Sequence, residues 1–277
     1  MNNSIETCYS VLMSVYHKEK ADYLQTAMNS IWDQTIPTND FVLVCDGPLN
    51  ESLDHVIQNM ESLHPNILHV IRLKINGGLG NALNIGLKEC KNELVARMDS
   101  DDISRPDRCE KQLELFNKNP DFDICSGAIE EFSDLPNHID SLRVPPETQE
   151  MIISFTRKRS PFNHPCVMYR KSAVEAAGGY QDFYLLEDYF LWIRMLGNGC
   201  IGYNFQQPLL WMRAGPEMYN RRSGWRFVKS QIALCRYMKD IQFVSTTEYY
   251  MNIIMRVISS MMPNIIRKFA YQLFLRK

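Results

Sequence analysis

The chain has 277 residues, 45% of them hydrophobic and 22% charged, enough for a substantial core in one large domain or two small ones. Its formal charge of −2 excludes the strongly basic balance of a nucleic-acid binder, and nucleic acid is not an expected partner. The total hides an asymmetry: residues 226–277 carry nine Lys and Arg against Asp240 and Glu248, a surplus of +7, and the first 225 residues carry −9.

No leader with a basic start and a long apolar core opens the chain, and the apolar run at 10–15 is too short to span a bilayer, so cytoplasmic residence is expected. The first hundred residues alternate short apolar runs with helix-period segments, the pattern of a parallel sheet covered by helices. Strands are predicted at 9–15, 41–45, 67–73 and 93–98. Between them a helix over 21–34 puts Leu24, Ala27, Met28, Ile31 and Trp32 on one face, and a second over 51–63 turns Leu53, Val56, Ile57 and Met60 inward. A third, over 79–90, is entered through Asn76, Gly77 and Gly78, with Gly86 permitting close approach to the sheet. A helix over 105–119 and a strand over 124–132 follow, and then an irregular Pro-rich stretch over 133–165 where any subdomain boundary lies. Beyond it come a strand at 167–169, a helix at 171–177, a Gly178-Gly179 turn, a helix at 186–196 and two short strands at 201–205 and 209–212. From Trp225 onward the pattern is helical, with Pro263 dividing its last two segments. The expected organisation is a donor-binding half over 1–132, an acceptor-binding half of the same domain over 133–222, and a basic helical segment over 223–277. Eight cysteines are scattered singly with no C-x-x-C pair and read as reduced core residues.

The strongest chemical signal is the strand 93–98 running directly into Asp99, Ser100, Asp101 and Asp102. Carboxylates this close repel one another unless a cation lies between them, and their hard oxygens suit Mg²⁺ or Mn²⁺; the alternative is a solvated acidic turn. A calcium loop fits poorly. Asp99, Asp101 and Glu110 fall at its first, third and twelfth positions, but Ile103, Ser104 and Pro106 occupy places that need a ligand, a glycine and an unconstrained backbone. The run from Asn76 to Gly86 looks superficially like a dinucleotide fingerprint, yet Leu83 stands where the third small residue belongs, and no G-K-[ST] sequence marks a P-loop. Asp46 ends a buried strand on the same sheet edge as Asp99. It either accepts a hydrogen bond from a uracil imide or caps a following helix. Glu187 and Asp188 stand at a helix start, where a helix dipole also favours acids. His164, beside Pro165, either lines a site or packs structurally, and Arg221 with Arg222 either clamps phosphate or forms a solvated turn.

In order and spacing, Ser14-Val15-Tyr16 with Glu19, Asp46-Gly47, Asn76-Gly77-Gly78 through Ala82, Asn84 and Gly86, the Asp99 to Asp102 motif, and Glu187-Asp188 resemble glycosyltransferase family 2. The likeness covers roughly residues 8–215 and extends to bacterial members that build O-antigen and exopolysaccharide repeat units. It implies an α/β GT-A fold, a Rossmann-like, mostly parallel open sheet flanked by helices with a C-terminal helical tail. It also implies a nucleotide-sugar donor, UDP-hexose or UDP-N-acetylhexosamine, and inversion at the anomeric carbon. By position, Val15, Tyr16, Glu19 and Asp46 would surround the nucleoside, with Asn76, Gly77, Asn84, Arg97 and His164 completing the donor site. Asp99 would lie near ribose or metal, Asp101 would be the principal carboxylate for Mn²⁺ or Mg²⁺, and Asp188, with Glu187 beside it, would be the base. The Cys45-Asp46-Gly47-Pro48 run departs from the family's two acids, Gly and Ser, and the Q-x-x-R-W motif of processive members is absent, so one sugar per encounter is expected. The implied acceptor is a saccharide linked to undecaprenyl diphosphate, and the basic tail either rests on an anionic membrane surface at the inner face of the cytoplasmic membrane or packs on the enzyme as a helical hairpin. Two competing readings are a nucleotide-sugar-binding assembly protein without turnover and a sugar-1-phosphate nucleotidyltransferase. The second would need a glycine-rich basic loop near the N-terminus, and residues 10–20 contain no glycine.

Overall fold

The computed structural model describes residues 8–215 and 224–261. Three βα units and a fourth strand open it: β1 (Ser10–Val15), α1 (Ala21–Trp32), β2 (Asp40–Cys45), α2 (Glu51–Leu63), β3 (Leu68–Arg72), α3 (Leu79–Glu89) and β4 (Leu94–Asp99). These four strands pair in parallel in the order β3-β2-β1-β4. Val11, Met13 and Val15 point to one core with α1, α2 and helix α4 (Arg108–Lys118). Leu12 points to a second core with α3, α6 (Lys171–Ala176) and α7 (Glu187–Gly197). That two-sided burial is why the strands read as continuous apolar runs. Gly86 lets α3 lie on the sheet, since a Cβ there would stand 2.4 Å from Leu12 and 2.7 Å from Val44.

Beyond β4 the sheet changes character. β5 (Ile103–Ser104), β6 (Ile124–Phe132), β7 (Ser141–Arg143), β8 (Met168–Arg170) and β9 (Gly202–Arg213) extend it to the order β3-β2-β1-β4-β8-β6-β9-β5, with β7 paired to β6. β8 runs antiparallel to both β4 and β6, whereas β9 runs parallel to β6. β9 replaces the two short strands expected at 201–205 and 209–212. Its pairing to β6 slips on either side of Ala128, which is matched to Pro208, and the irregularity accommodates a residue with no N–H to give the ladder. The stretch 133–165 is also more regular than its composition suggests: it contains β7, helix α5 (Gln149–Thr156), capped by the Thr148 hydroxyl, and the start of a 3-10 turn at His164–Cys166. Because β5 pairs with β9 only a few residues after β4 ends, the Asp99 to Asp102 turn is trapped between the parallel strands and the end of β9.

Two further helices, α8 (Trp225–Asp240) and α9 (Thr246–Met261), pack on the outer face of α7 through Leu186, Tyr189, Phe190 and Ile193. Pro263 and the cationic residues Arg267, Lys268, Arg276 and Lys277 lie outside the described residues, as do Arg221 and Arg222. All eight cysteines are free; six are buried, Cys200 is half-buried, and Cys8 is exposed rather than in the core.

Candidate active site

The acid turn begins where β4 ends, with Asp99 opposite Ser14 of β1. One oxygen from each of Asp99, Asp101 and Asp102 can be chosen so that all lie within 4.8 Å of one another. Beneath them the buried Arg97 guanidinium pairs with Asp99, and its Nε and Nη1 have no hydrogen-bond partner among the described residues. Asp102 accepts the Arg213 N–H at 2.8 Å through Oδ1, while its Oδ2 is buried and unpartnered among the described residues. Arg213 also donates from Nε to the Asp101 carbonyl at 3.2 Å and stacks on Tyr23, 3.6 Å from the ring centroid. Burial, followed by the charges of Asp99 and Glu19, pushes the Asp101 carboxyl up to about 7, and burial with the charge of Asp101 raises Asp102 well above the carboxylate range. The turn therefore gathers negative charge that the protein's own cations only partly offset. Three hard oxygen donors in this state fit a divalent cation such as Mg²⁺ or Mn²⁺.

Two loops flank the turn. Glu19, after β1, accepts the Ser100 hydroxyl at 2.8 Å, and Tyr16 lies exposed at the same strand end. Asp46 donates its N–H to the Val15 carbonyl, and its carboxylate accepts the N–H groups of Gly77 at 2.7 Å and Gly78 at 3.0 Å. The Asn76 amide closes the ring by donating to the Asp46 carbonyl at 3.0 Å. Asp46 therefore does not cap the following helix, whose start is held by Asn50; it fastens the glycine loop to the sheet edge. Gly47 at φ +89° is obligatory here, because a Cβ would lie 2.8 Å from the Asn76 nitrogen.

The third wall forms where α3 meets α7. The Asn84 side chain is spent on the Tyr180 backbone, accepting its N–H at 2.7 Å and donating to its carbonyl at 2.5 Å. Gly80 of α3 faces Tyr180 and Glu187, and a Cβ there would stand 3.5 and 3.6 Å from their side chains, at ordinary van der Waals distance. The Tyr180 hydroxyl lies 3.0 Å from His164 Nε2, and the charges of both Asp188 and Asp99 act on that phenol. Burial, then the Arg97 charge, holds His164 well below the usual imidazole range, so the ring is neutral. Leu185 enters α7 at φ +58°, a strained conformation for a branched side chain of the kind that accumulates at functional sites. Burial raises the Glu187 carboxyl, with Asp188 adding to the effect.

Asp99, Asp101, Glu19 and Arg97 thus come together around one turn, with Asp46, Asn76 and Gly77 on one flank and His164 linked to the α7 start through Tyr180. Sequence reasoning counted Asp102 among the acids of the run without naming it as a metal ligand, and gave no role to Tyr180 or Arg213. Asp102 was visible in the acid run, whereas Arg213 reaches the turn only through the β5–β9 pairing.

The glycosyl transferase family 2 profile matches residues 10–178. The amylovoran biosynthesis glycosyltransferase AmsE of Erwinia amylovora is 38% identical over 95% of this chain and 98% of its own length. A UDP-Gal:α-D-GlcNAc-diphosphoundecaprenol β-1,3-galactosyltransferase of Escherichia coli is 36% identical, covering 97% of each. Among solved structures, S. aureus TarS 1–349 in complex with UDP-GlcNAc superposes with a TM-score of 0.66 at 17% identity, over 96% of this chain and 75% of that one. The Pyrobaculum calidifontis mannosyltransferase PcManGT, in complex with GDP-Man and Mn²⁺, gives 0.62 at 13% identity over 94% and 71%. These likenesses at low identity agree on the fold, and the sequence matches agree on the enzyme class: the chain belongs to glycosyl transferase family 2 and is a glycosyltransferase of GT-A fold.

Proposed function

We propose that the enzyme moves one sugar, with inversion, from a UDP-hexose or UDP-N-acetylhexosamine to a hydroxyl of a saccharide carried on undecaprenyl diphosphate, in the synthesis of a bacterial surface polysaccharide. The observation that carries this reading is the acid turn, with oxygens of Asp99, Asp101 and Asp102 within 4.8 Å of one another, between the Glu19 loop and the glycine loop that Asp46 fastens. The relatives support the finer points: the E. coli enzyme is named for UDP-Gal and a diphosphoundecaprenol acceptor, and the AmsE relative for amylovoran.

Asp99, Asp101 and Asp102 would hold Mn²⁺ or Mg²⁺. When bound, the cation neutralises charge that builds on the departing diphosphate. Val15, Tyr16, Glu19 and Asp46 would surround the nucleoside, with Asn76 and Gly77 completing the donor site. Asn84 acts through Tyr180, and Arg97 with neutral His164 forms the floor below Asp99. Asp188, beside Glu187, takes the proton of the acceptor hydroxyl as that oxygen attacks the anomeric carbon from the face opposite the diphosphate. Direct displacement inverts the configuration and needs no sugar-enzyme bond. The reaction belongs at the inner face of the cytoplasmic membrane, where the basic segment 223–277 would meet anionic lipid; among the described residues no helix is long and apolar enough to cross a bilayer.

Thermal unfolding across a panel of nucleotide sugars tests the donor assignment. A UDP-hexose or UDP-N-acetylhexosamine should protect the protein only when Mn²⁺ or Mg²⁺ is present, by about 2.7 kcal/mol at a hundredfold excess over Kd. Equal protection in excess EDTA, or protection by none of the panel, contradicts the proposal.

A further inference from the structure

We propose that the outer face of α9 is a docking surface for an anionic lipid bilayer. The inner face of this helix is fixed by its contacts. Tyr249 and Ile253 pack against the core shared by α7 and α8, and the Asn252 amide donates to the Arg157 carbonyl at 2.7 Å. Arg256 donates to the Lys158 carbonyl at 2.8 Å and to the Tyr189 hydroxyl at 3.0 Å. At 3.6 residues per turn these four positions share one side of the helix. Tyr250, Met251, Ile254, Met255 and Ile258 fall on the opposite side, and each leaves 48–64% of its surface exposed. Exposed apolar residues scattered singly need no explanation, but five large ones forming a continuous stripe do.

Charge identifies what covers the stripe. Arg256 is held on the inner face, but residues 257–277 carry Arg267, Lys268, Arg276 and Lys277 and not one acid. The last acid before them, Glu248, is already paired with Arg157 at 3.2 Å. Lys239 of α8 stands over the rings of Tyr249 and Tyr250, 4.8 and 5.7 Å from their centroids, so positive charge reaches the edge of the stripe. A second copy of the chain would bring two such surfaces, each with the +7 surplus of residues 226–277, against one another. An anionic bilayer accepts both features, since the apolar side chains enter the acyl boundary while the cations meet the head groups. Docking would also orient the site. Arg256 bonds Tyr189, the residue after Asp188, so the start of α7 is tied to the docked helix. This last consequence rests on the lipid-linked acceptor proposed above; the docking face does not.

The test uses the full chain, sedimented with phosphatidylcholine vesicles with and without about one third phosphatidylglycerol, at low and high salt. Binding should require phosphatidylglycerol, weaken with salt, and fall about tenfold or more in I254E/M255E. A second pair, Y250S/M251S, should show a comparable loss without added charge. Both variants should melt as the wild type does and transfer sugar to a short-chain, water-soluble acceptor at the wild-type rate. The inference is overturned if the full chain ignores anionic vesicles, if both variants bind like wild type, or if they lose self-association instead of vesicle binding. Vesicle binding that behaves as expected while no protein, wild type included, transfers sugar would uphold the docking face and count against the proposed reaction.

Discussion

At the scale of single residues, the acid turn is a problem in proton and cation competition. The Asp101 carboxyl, usual value 3.8, is raised to about 7 in the folded protein without a cation, so folding binds a proton between those values. The stability gained from that bound proton is fully present below the usual value and is lost as pH rises through about 7; Asp102 shifts in the same direction. A divalent cation binds the carboxylate form, so its effect runs the other way. Protection of the protein by Mg²⁺ against thermal unfolding is therefore expected to be larger at pH 8 than at pH 6, and equal protection at both values would contradict a site built on these acids. Asp101→Ala should abolish the Mg²⁺ effect and turnover together while leaving a folded protein, read by melting with and without the cation. Asp99 and Asp101 were legible as a strand end followed by acids, whereas Arg213, 111 residues from Asp102, carries no local signal at all. Of the two roles the sequence offered for Asp46, the helix cap falls to Asn50, while the Asp46 carboxylate spans Gly77 and Gly78, which only the parallel pairing of β1, β2 and β3 brings near.

At the scale of elements, the site is held by two close approaches of backbone. Gly47→Ala should force φ +89° on a residue with a Cβ and drive that atom against the Asn76 nitrogen. About 1–3 kcal/mol of stability should be lost, with donor affinity falling alongside it, measured by denaturant unfolding and donor titration. Unchanged stability would mean the loop relaxes freely. Asn84→Ala removes both hydrogen bonds to the Tyr180 backbone and should cost about 1–3 kcal/mol. If Asn84 instead contacts the donor directly, affinity will fall without that loss of stability. The βα units were legible because each helix presents a clean apolar face and each buried strand an unbroken apolar run. What escaped was short or interrupted. β5 and β7 have two and three residues, too few to show a period, and β9 contains Gln206, Gln207 and Pro208, which read as a break although the pairing continues past them. α5 did leave a mark in the Thr148 cap, hidden among prolines.

At the scale of the whole molecule, the charge asymmetry of the sequence separates an acidic body carrying the acid turn from a basic C-terminal pair of helices. The two are joined through α7, which starts at Glu187 and Asp188, buries Trp192 against the sheet and receives α8 and α9 on its other side. Its near-complete burial explains why eleven residues with two acids at one end can hold those acids at a fixed place. The parallel half of the sheet was legible from the sequence; the antiparallel crossing at β8 was not, since nothing local reports strand direction. A base at Asp188 that activates the acceptor is what separates a transferase mechanism from mere retention of a nucleotide sugar. Asp188→Asn keeps the shape of the side chain and removes the proton acceptor. Steady-state transfer kinetics alongside donor titration should show kcat reduced by about 10² to 10⁴ with donor affinity nearly unchanged. Transfer near the wild-type rate in Asp188→Asn, with Glu187→Gln inactive, would move the base to Glu187; full activity in both variants would contradict a catalytic role for the start of α7.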